Sequence, residues 1–178
     1  MVCPHWLSGI LYNPVRKAFT DRLAVLRESC IRESSVVLEV GAGNGFFTEA
    51  LAGSARLVYA VELQEQMAQK LRKRLSGNPG SHKVKILTGD IAAIDVADGT
   101  VDVGFLYYAF HEMNDPEGAA EHIARAIKPK GILAVYEPTV EVSRRMMERT
   151  VALFERQGMK REERRDRFFT RFALLRKE

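Results

Sequence analysis

Residues 36–45 read Val36-Val37-Leu38-Glu39-Val40-Gly41-Ala42-Gly43-Asn44-Gly45, an apolar strand running straight into a glycine turn with an acid at the hinge. This is the signature of a nucleotide-cofactor loop. Gly41, Gly43 and Gly45 let the backbone turn sharply and approach a ligand with no side chain in the way. The dinucleotide fingerprint G-x-G-x-x-G would put its third glycine at position 46, where close packing of helix on strand demands it. Phe46 stands there instead, and Gly45 comes one residue early. Glu39 lies two residues before the first glycine, near the carboxyl end of the strand. A buried acid there is costly unless something polar or cationic satisfies it, as a ligand ammonium or its waters would. The plainer alternative is an ordinary glycine turn with Glu39 facing solvent.

Outward from this stretch, apolar runs recur at Val36–Val40, Leu57–Val61, Val84–Leu87, Val101–Tyr108 and Ile132–Tyr136. They are rich in Val, Ile and Leu without strict alternation, which suits strands of a parallel sheet covered on both faces. Between them, Gln64 to Leu75 carries Met67, Leu71 and Leu75 at helical spacing, and Pro116 to Ile127 carries Ala119, Ile123, Ala126 and Ile127. Lys128-Pro129-Lys130-Gly131 reads as the stop of that second helix. Thr20-Asp21 with Leu23, Val25 and Leu26 predicts an amphipathic helix before the first strand, behind a short Trp6–Tyr12 segment broken at Pro14. Together these could form a lid. A helix through Leu153 and Phe154 should lead to a closing strand from Phe168 to Leu175, while Lys160 to Arg167 is too polar to read as a convincing strand. The fold class is therefore α/β, and no repeat or linker marks a second domain.

At 178 residues the chain fits one domain with a real core and little room for accessories. Hydrophobic residues make up 46% and charged residues 28%, the balance of a globular protein rather than a disordered or fibrous one. No stretch approaches a membrane span, and Met1–Trp6 lacks the basic and apolar regions of a signal peptide, so the cytoplasm is the expected compartment. Cys3 and Cys30 have neither metal-ligand spacing nor disulfide-scaffold density. The net charge of +4 is uneven: residues 144–178 carry an excess of six positive charges, and the first 143 residues a balance of −2. A basic stretch of this kind could meet an anionic substrate, a nucleic acid or a membrane surface. Its interleaved acids favour a solvated helix face and a sheet edge protected by charge.

Two further acids close successive apolar runs. Glu62 follows the second run, twenty-one residues after Gly41, which in a doubly wound sheet places its carboxylate beside the glycine loop, within reach of the hydroxyls of an adenosine ribose. Asp90, in Thr88-Gly89-Asp90-Ile91, comes to the same edge, where it could accept from an exocyclic adenine amine or simply cap a turn. Leu63 and Ile91 could sandwich the ring.

With these residues in place, the chain resembles class I S-adenosylmethionine-dependent methyltransferases, particularly the compact small-molecule branch related to quinone-biosynthesis enzymes (methyltransferase type 11). The resemblance covers residues 34 to 140: Val37–Phe47, Val58–Leu63, Gly89–Ile91 and Val101–Met113 match four motifs of the family, and Lys128–Gly131 matches its Lys-Pro-x-Gly turn. It implies a Rossmann-like, mostly parallel seven-stranded sheet in three αβα layers, with the last strand antiparallel and the sixth weak. It implies a single domain, residues 1–178, divided into a helical lid (1–33), a cofactor-binding core (34–140) and a C-terminal helix with closing strands (141–178). It further implies that S-adenosyl-L-methionine is held by Glu39, Gly41, Ala42, Gly43 and Gly45 at its methionine part, by Glu62 at the ribose, by Leu63, Asp90 and Ile91 at the adenine, and by the backbone around Leu106 and Tyr107. S-adenosyl-L-homocysteine would be the product. Leu106-Tyr107-Tyr108-Ala109 lacks the Asp/Asn-Pro-Pro-aromatic sequence of nucleic-acid amino-methyltransferases, which argues against a nucleic-acid partner. Acids placed as in metal-dependent catechol-type enzymes are missing too, so no metal is expected.

Transfer from a sulfonium is an in-line displacement with an activated leaving group, so positioning and desolvation can carry much of it. If the acceptor needs a base, His111 or Tyr108 is the candidate. The plain reading of His111 is a helix-start residue satisfying backbone groups, and that of Glu112 an N-terminal helix acid. Trp6, Tyr12, Phe47 and Tyr108 could wall a small-molecule acceptor site, although core packing also explains aromatics. The leading reading is a small-molecule methyltransferase with an apolar or aromatic acceptor. Others are a membrane-surface variant acting on a lipid, with Trp6, Leu7, Ile10 and Leu11 touching the bilayer and basic C-terminal residues near its head groups, and a non-catalytic adenosine-ligand module. An NAD-linked oxidoreductase is disfavoured by Phe46 and Glu39. The sequence leaves the oligomeric state open.

Overall fold

The computed structural model describes residues 20–94 and 96–178. The expected lid residues Trp6 and Tyr12, with Leu7, Ile10, Leu11 and Cys3, lie outside the described residues. The chain runs α1 (Arg22–Glu28), β1 (Val36–Val40), α2 (Thr48–Ser54), β2 (Leu57–Glu62), α3 (Glu65–Leu75), β3 (Val84–Thr88), β4 (Val101–Tyr107), α4 (Pro116–Ala126), β5 (Ile127–Pro138), α5 (Arg144–Arg156), β6 (Met159–Asp166) and β7 (Thr170–Lys177). The seven strands form one sheet in the order β3-β2-β1-β4-β5-β7-β6. β1 to β5 are parallel, and β7 runs antiparallel to both its neighbours. Strand order reverses between β1 and β4, the switch point outside which doubly wound Rossmann-like sheets bind ligands.

Alternation along the strands sorts side chains into two cores. Val37, Val58, Phe105 and Tyr136 pack with Leu26, Leu51 and Leu71 of α1, α2 and α3. Leu38, Val40, Leu106 and Val135 face the other way, onto Ile123 of α4 and Met147, Val151 and Phe154 of α5. The helices start where capping chemistry predicts: Asp21, Asp115 and Ser143 each accept from a backbone N–H in the first turn of α1, α4 and α5. Among the described residues, no helix is long and apolar enough to cross a membrane.

Three expectations need correction. The segment 160–167, too polar to read as a strand, lies almost wholly in β6, an eight-residue strand at the edge of the sheet. Its polarity is what an unpaired edge requires, and its inner side is held by the β7 ladder and by ion pairs such as Arg176 with Glu162 and Arg161 with Glu148 on α5. The closing strand is Thr170–Lys177, so Phe168 and Phe169 belong to the hairpin tip before it. Lys128–Gly131 lies within β5 rather than capping a helix. Its extra residues are absorbed by a register shift against β4 between Val101 and Val103, with Lys130 at φ 65°.

Two loop glycines are fixed by close approach. A Cβ on Gly41 (φ +76°) would meet the Ala109 Cβ at 2.5 Å, and one on Gly45 (φ +88°) would meet Leu71 Cδ1 of α3 at 2.5 Å. Gly45 thus seats the loop against α3. Gly45→Ala is expected to lower unfolding free energy by about 1–3 kcal/mol through strain and overpacking. Gly53→Ala, in α2 with no atom within 4 Å of the added carbon, should instead raise it by up to about 1 kcal/mol. Urea unfolding of both variants checks the contrast, and equal effects would remove the packing role of Gly45.

Candidate functional site

The carboxyl ends of β1, β2, β3 and β4 and the loops that follow them wall a single cleft. At its base Glu39 is 3% exposed, and the Thr48 hydroxyl donates to its Oε2 at 2.6 Å. Burial pushes the Glu39 carboxyl up to about 8, against the Thr48 hydrogen bond and with help from the charge of Glu62. No cationic side chain pairs with Glu39 among the described residues. Its proton is the cheapest way to be neutral when the cleft holds no cation.

Glu62 ends β2 with both carboxylate oxygens at work. Oε2 accepts from the Gly43 N–H at 2.7 Å and Oε1 from the Gln64 N–H at 2.9 Å. Burial raises Glu62 above the usual carboxylate range; the backbone N–H groups of Gln64, Gly43 and Leu63 oppose this, and the nearby charge of Glu112 adds to it. The carboxylate therefore clamps the glycine loop while keeping lone pairs for further donors. Asp90 lines the cleft beside Ile91 and Leu63 and caps its own turn by accepting from the Ala92 N–H at 3.0 Å.

The aromatic wall is continuous. Phe47 packs against Phe105 and Tyr107 with ring centroids 5.1 and 4.4 Å apart, and Tyr107 stacks on Tyr108 at 4.4 Å. Tyr108 turns the chain at φ 59°, a left-handed conformation costly for a bulky residue. It is held there by its N–H to the Tyr136 carbonyl at 2.8 Å and by its hydroxyl, 2.5 Å from Thr170 Oγ1 on β7.

Of the residues singled out in the sequence, Glu39, Gly41, Ala42, Gly43, Phe47, Glu62, Leu63, Asp90, Ile91, Tyr107 and Tyr108 all line this cleft. Gly45 does not, because it faces α3. Leu106 does not either, since strand alternation turns it into the core under α4 and α5. His111 is placed elsewhere: it lines an adjoining groove between the turn Phe110–Glu112 and α5. Its Nδ1 is tied to the buried Glu137 carboxylate and its Nε2 lies 3.0 Å from Glu141. Burial opposes a charged ring, but Glu137 and then Glu141 outweigh it and raise His111 above the ordinary histidine range. Glu112 is the first-turn acid of the short 3-10 helix Phe110–Glu112, and it also lines the cleft. His111, Glu112 and Glu141 bring ligand-type atoms within 4.8 Å of one another, a grouping hidden in the sequence by the distance to Glu141. Met67, Phe105 and Met113 also line the cleft, and their core-like spacing gave no signal of it.

Residues 38–135 match the family model described as a methyltransferase domain. A curated relative from Geobacillus sp. (strain WCH70), named an uncharacterized methyltransferase, is 30% identical over 138 residues, which is 76% of this chain and 62% of the relative. The dimethyladenosine transferase of Saccharomyces cerevisiae is 42% identical over 82 residues, 46% of this chain and 24% of that protein. The chain thus spans less than two thirds of the length of either. A crystal structure of a SAM-dependent methyltransferase from Aquifex aeolicus shares the fold, with TM-score 0.85 and 24% identity over 98% of this chain and 99% of that one.

Glu39 makes a prediction for the protein without ligand. Its folded pKa, about 8, exceeds the unfolded carboxylate value, so its contribution to stability is complete below the unfolded value and is lost as pH rises towards about 8. Thermal melts of Glu39→Gln should fall less between pH 5 and pH 8 than those of the parent, the gap opening at the alkaline end. Identical slopes would mean that Glu39 is ionised in the fold.

Proposed function

The chain belongs to the methyltransferase domain family, and from that premise we propose that it is an enzyme transferring the methyl group of S-adenosylmethionine to a small apolar or aromatic acceptor. The observation that supports this most is Glu39: a desolvated carboxylate with no cationic side-chain partner among the described residues, directly under a glycine loop. A cationic ammonium there would replace its proton, which suits the methionine end of that cofactor. Glu62 would take the ribose hydroxyls on the lone pairs its two backbone donors leave open, Asp90 the adenine amine, and Leu63 and Ile91 the ring faces. When bound, S-adenosylmethionine supplies an electrophilic methyl group on a leaving sulfur.

What the chain's own residues contribute is positioning and exclusion of water. Phe47, Tyr107 and Tyr108 give the cleft an aromatic wall on which a flat, apolar acceptor would lie. Neither titratable candidate is set up as a base: Glu137 on His111 Nδ1, with Glu141 and Glu112 around its Nε2, favours the charged ring, and the Tyr108 hydroxyl is spent on Thr170. Acceptors that need no enzyme base fit this site best.

Glu62→Ala should weaken S-adenosylhomocysteine binding by on the order of 1–3 kcal/mol, since loop clamp and hydroxyl acceptor go together. Calorimetry on the folded variant measures it, and unchanged affinity would refute the ribose assignment. Labelled methyl donor offered with a metabolite extract tests the acceptor class: label in apolar or aromatic products is the expected outcome, and label only in RNA would overturn it.

A further inference from the structure

The hairpin between β6 and β7 ends in two adjacent phenylalanines, Phe168 and Phe169, that are 86% and 68% exposed. The loop after β5 sets Val140, 83% exposed, close by, for Thr139 binds this tip twice: its hydroxyl donates to the Phe168 carbonyl at 2.9 Å and its N–H to the Phe169 carbonyl at 3.2 Å. The tip is also braced against the cleft, because Tyr108, whose ring lines it, donates its hydroxyl to the Phe169 carbonyl at 3.3 Å. Exposed apolar side chains held rigidly at a cleft edge mark a contact surface rather than scattered surface residues.

Charge identifies the partner. Directly behind the tip Asp166 faces three guanidiniums, those of the exposed Arg144 at 2.8 Å and of the largely covered Arg164 and Arg171 at 2.7 and 3.0 Å, Arg164 being shared with Glu148. Arg145, exposed at the start of α5, has no ion-pair partner among the described residues. Arg165 and Arg167, next to the tip, share Glu28, with Glu163 also on Arg165, so guanidiniums outnumber carboxylates around the apex, while Arg176 and Lys177 lie at the far end of the hairpin. We propose that the Phe168–Phe169 hairpin is an interfacial anchor that docks this face on an anionic lipid bilayer, with the phenylalanines and Val140 in the acyl boundary and the exposed Arg144 and Arg145 at head-group level. The two rings meet edge to face at 84°, with centroids 4.5 Å apart. They offer no pair of parallel platforms for successive bases, and an aliphatic Val140 adds nothing to stacking; both features favour a bilayer over single-stranded nucleic acid. Docked so, the cleft edge at Tyr108 would face the membrane, a source of apolar acceptors. The anchor itself does not rest on the methyl-transfer reading.

Co-sedimentation of the full chain with vesicles of phosphatidylcholine, with and without phosphatidylglycerol, tests it. Binding that needs phosphatidylglycerol, and that falls on the order of tenfold or more in the double variant Phe168→Ser, Phe169→Ser, is the expected result. Both positions are exposed, so melting temperature and S-adenosylhomocysteine affinity of the variant should match the parent. No binding to anionic vesicles, or equal binding by the double variant, would overturn the proposal. So would binding of an RNA oligonucleotide that the variant loses, without vesicle binding. Vesicle binding by a chain that shows no affinity for S-adenosylhomocysteine would leave the anchor standing and remove the methyl-donor reading instead.

Discussion

The cleft depends on one carboxylate. Glu62 stands at the end of β2, yet its two oxygens hold the N–H of Gly43, which belongs to the loop after β1, and that of Gln64, which starts the turn into α3. Two separate stretches of backbone, the loop after β1 and the turn from β2 into α3, are thereby fixed to one another at the carboxyl edge of the sheet. Each charge-assisted bond is stronger than a neutral one, and partial burial of the acid keeps water from competing. The same burial raises the cost of its charge, so Glu62 is favourable only while the loop supplies its donors. The loop and the acid stabilise each other, and the ligand site is what lies between them.

Glu39 carries the same burial with less to oppose it. It too is buried, but a single hydroxyl faces it where Glu62 has two backbone amides. Burial therefore pushes the Glu39 carboxyl further, up to about 8, which favours its protonated form. Two acids on neighbouring strands are thus prepared differently: one to remain an acceptor for neutral hydroxyls, the other to exchange a proton for a cation. An adenosine joined to an amino acid has both ends that this polarity requires.

How much of this the sequence disclosed follows from the range of the interactions. The β1 strand, its glycine loop and the acids closing β2 and β3 are local patterns, and parallel register brings them together without further information. Asp21 at the start of α1 was equally legible, because a cap acts within one turn. β6 was not, since the favourable character of a charged strand appears only once it is known to lie at the sheet edge. The sequence leaves His111 open for the same reason: four residues past the end of β4, it is held by Glu137 and Glu141, 26 and 30 residues away. Gly45 matched the loop pattern, yet its reason to be glycine is Leu71 on another element.

The strained turn at Tyr108 connects these levels. A tyrosine at φ 59° is tolerated only where its surroundings overdetermine it, and here they come from three strands: Tyr107 stacks on its ring, Tyr136 on β5 binds its N–H and Thr170 on β7 binds its hydroxyl. Tyr136 continues the contact inward, packing on Phe172 at 4.7 Å and reaching Ser29 at the end of α1 at 3.0 Å. The antiparallel strand that closes the sheet therefore does more than cover β5. It fixes the orientation of the aromatic wall and, through the Phe169 carbonyl, the position of the hairpin tip. The aromatic wall of the cleft and the hairpin tip thus share the same anchor points at the start of β7.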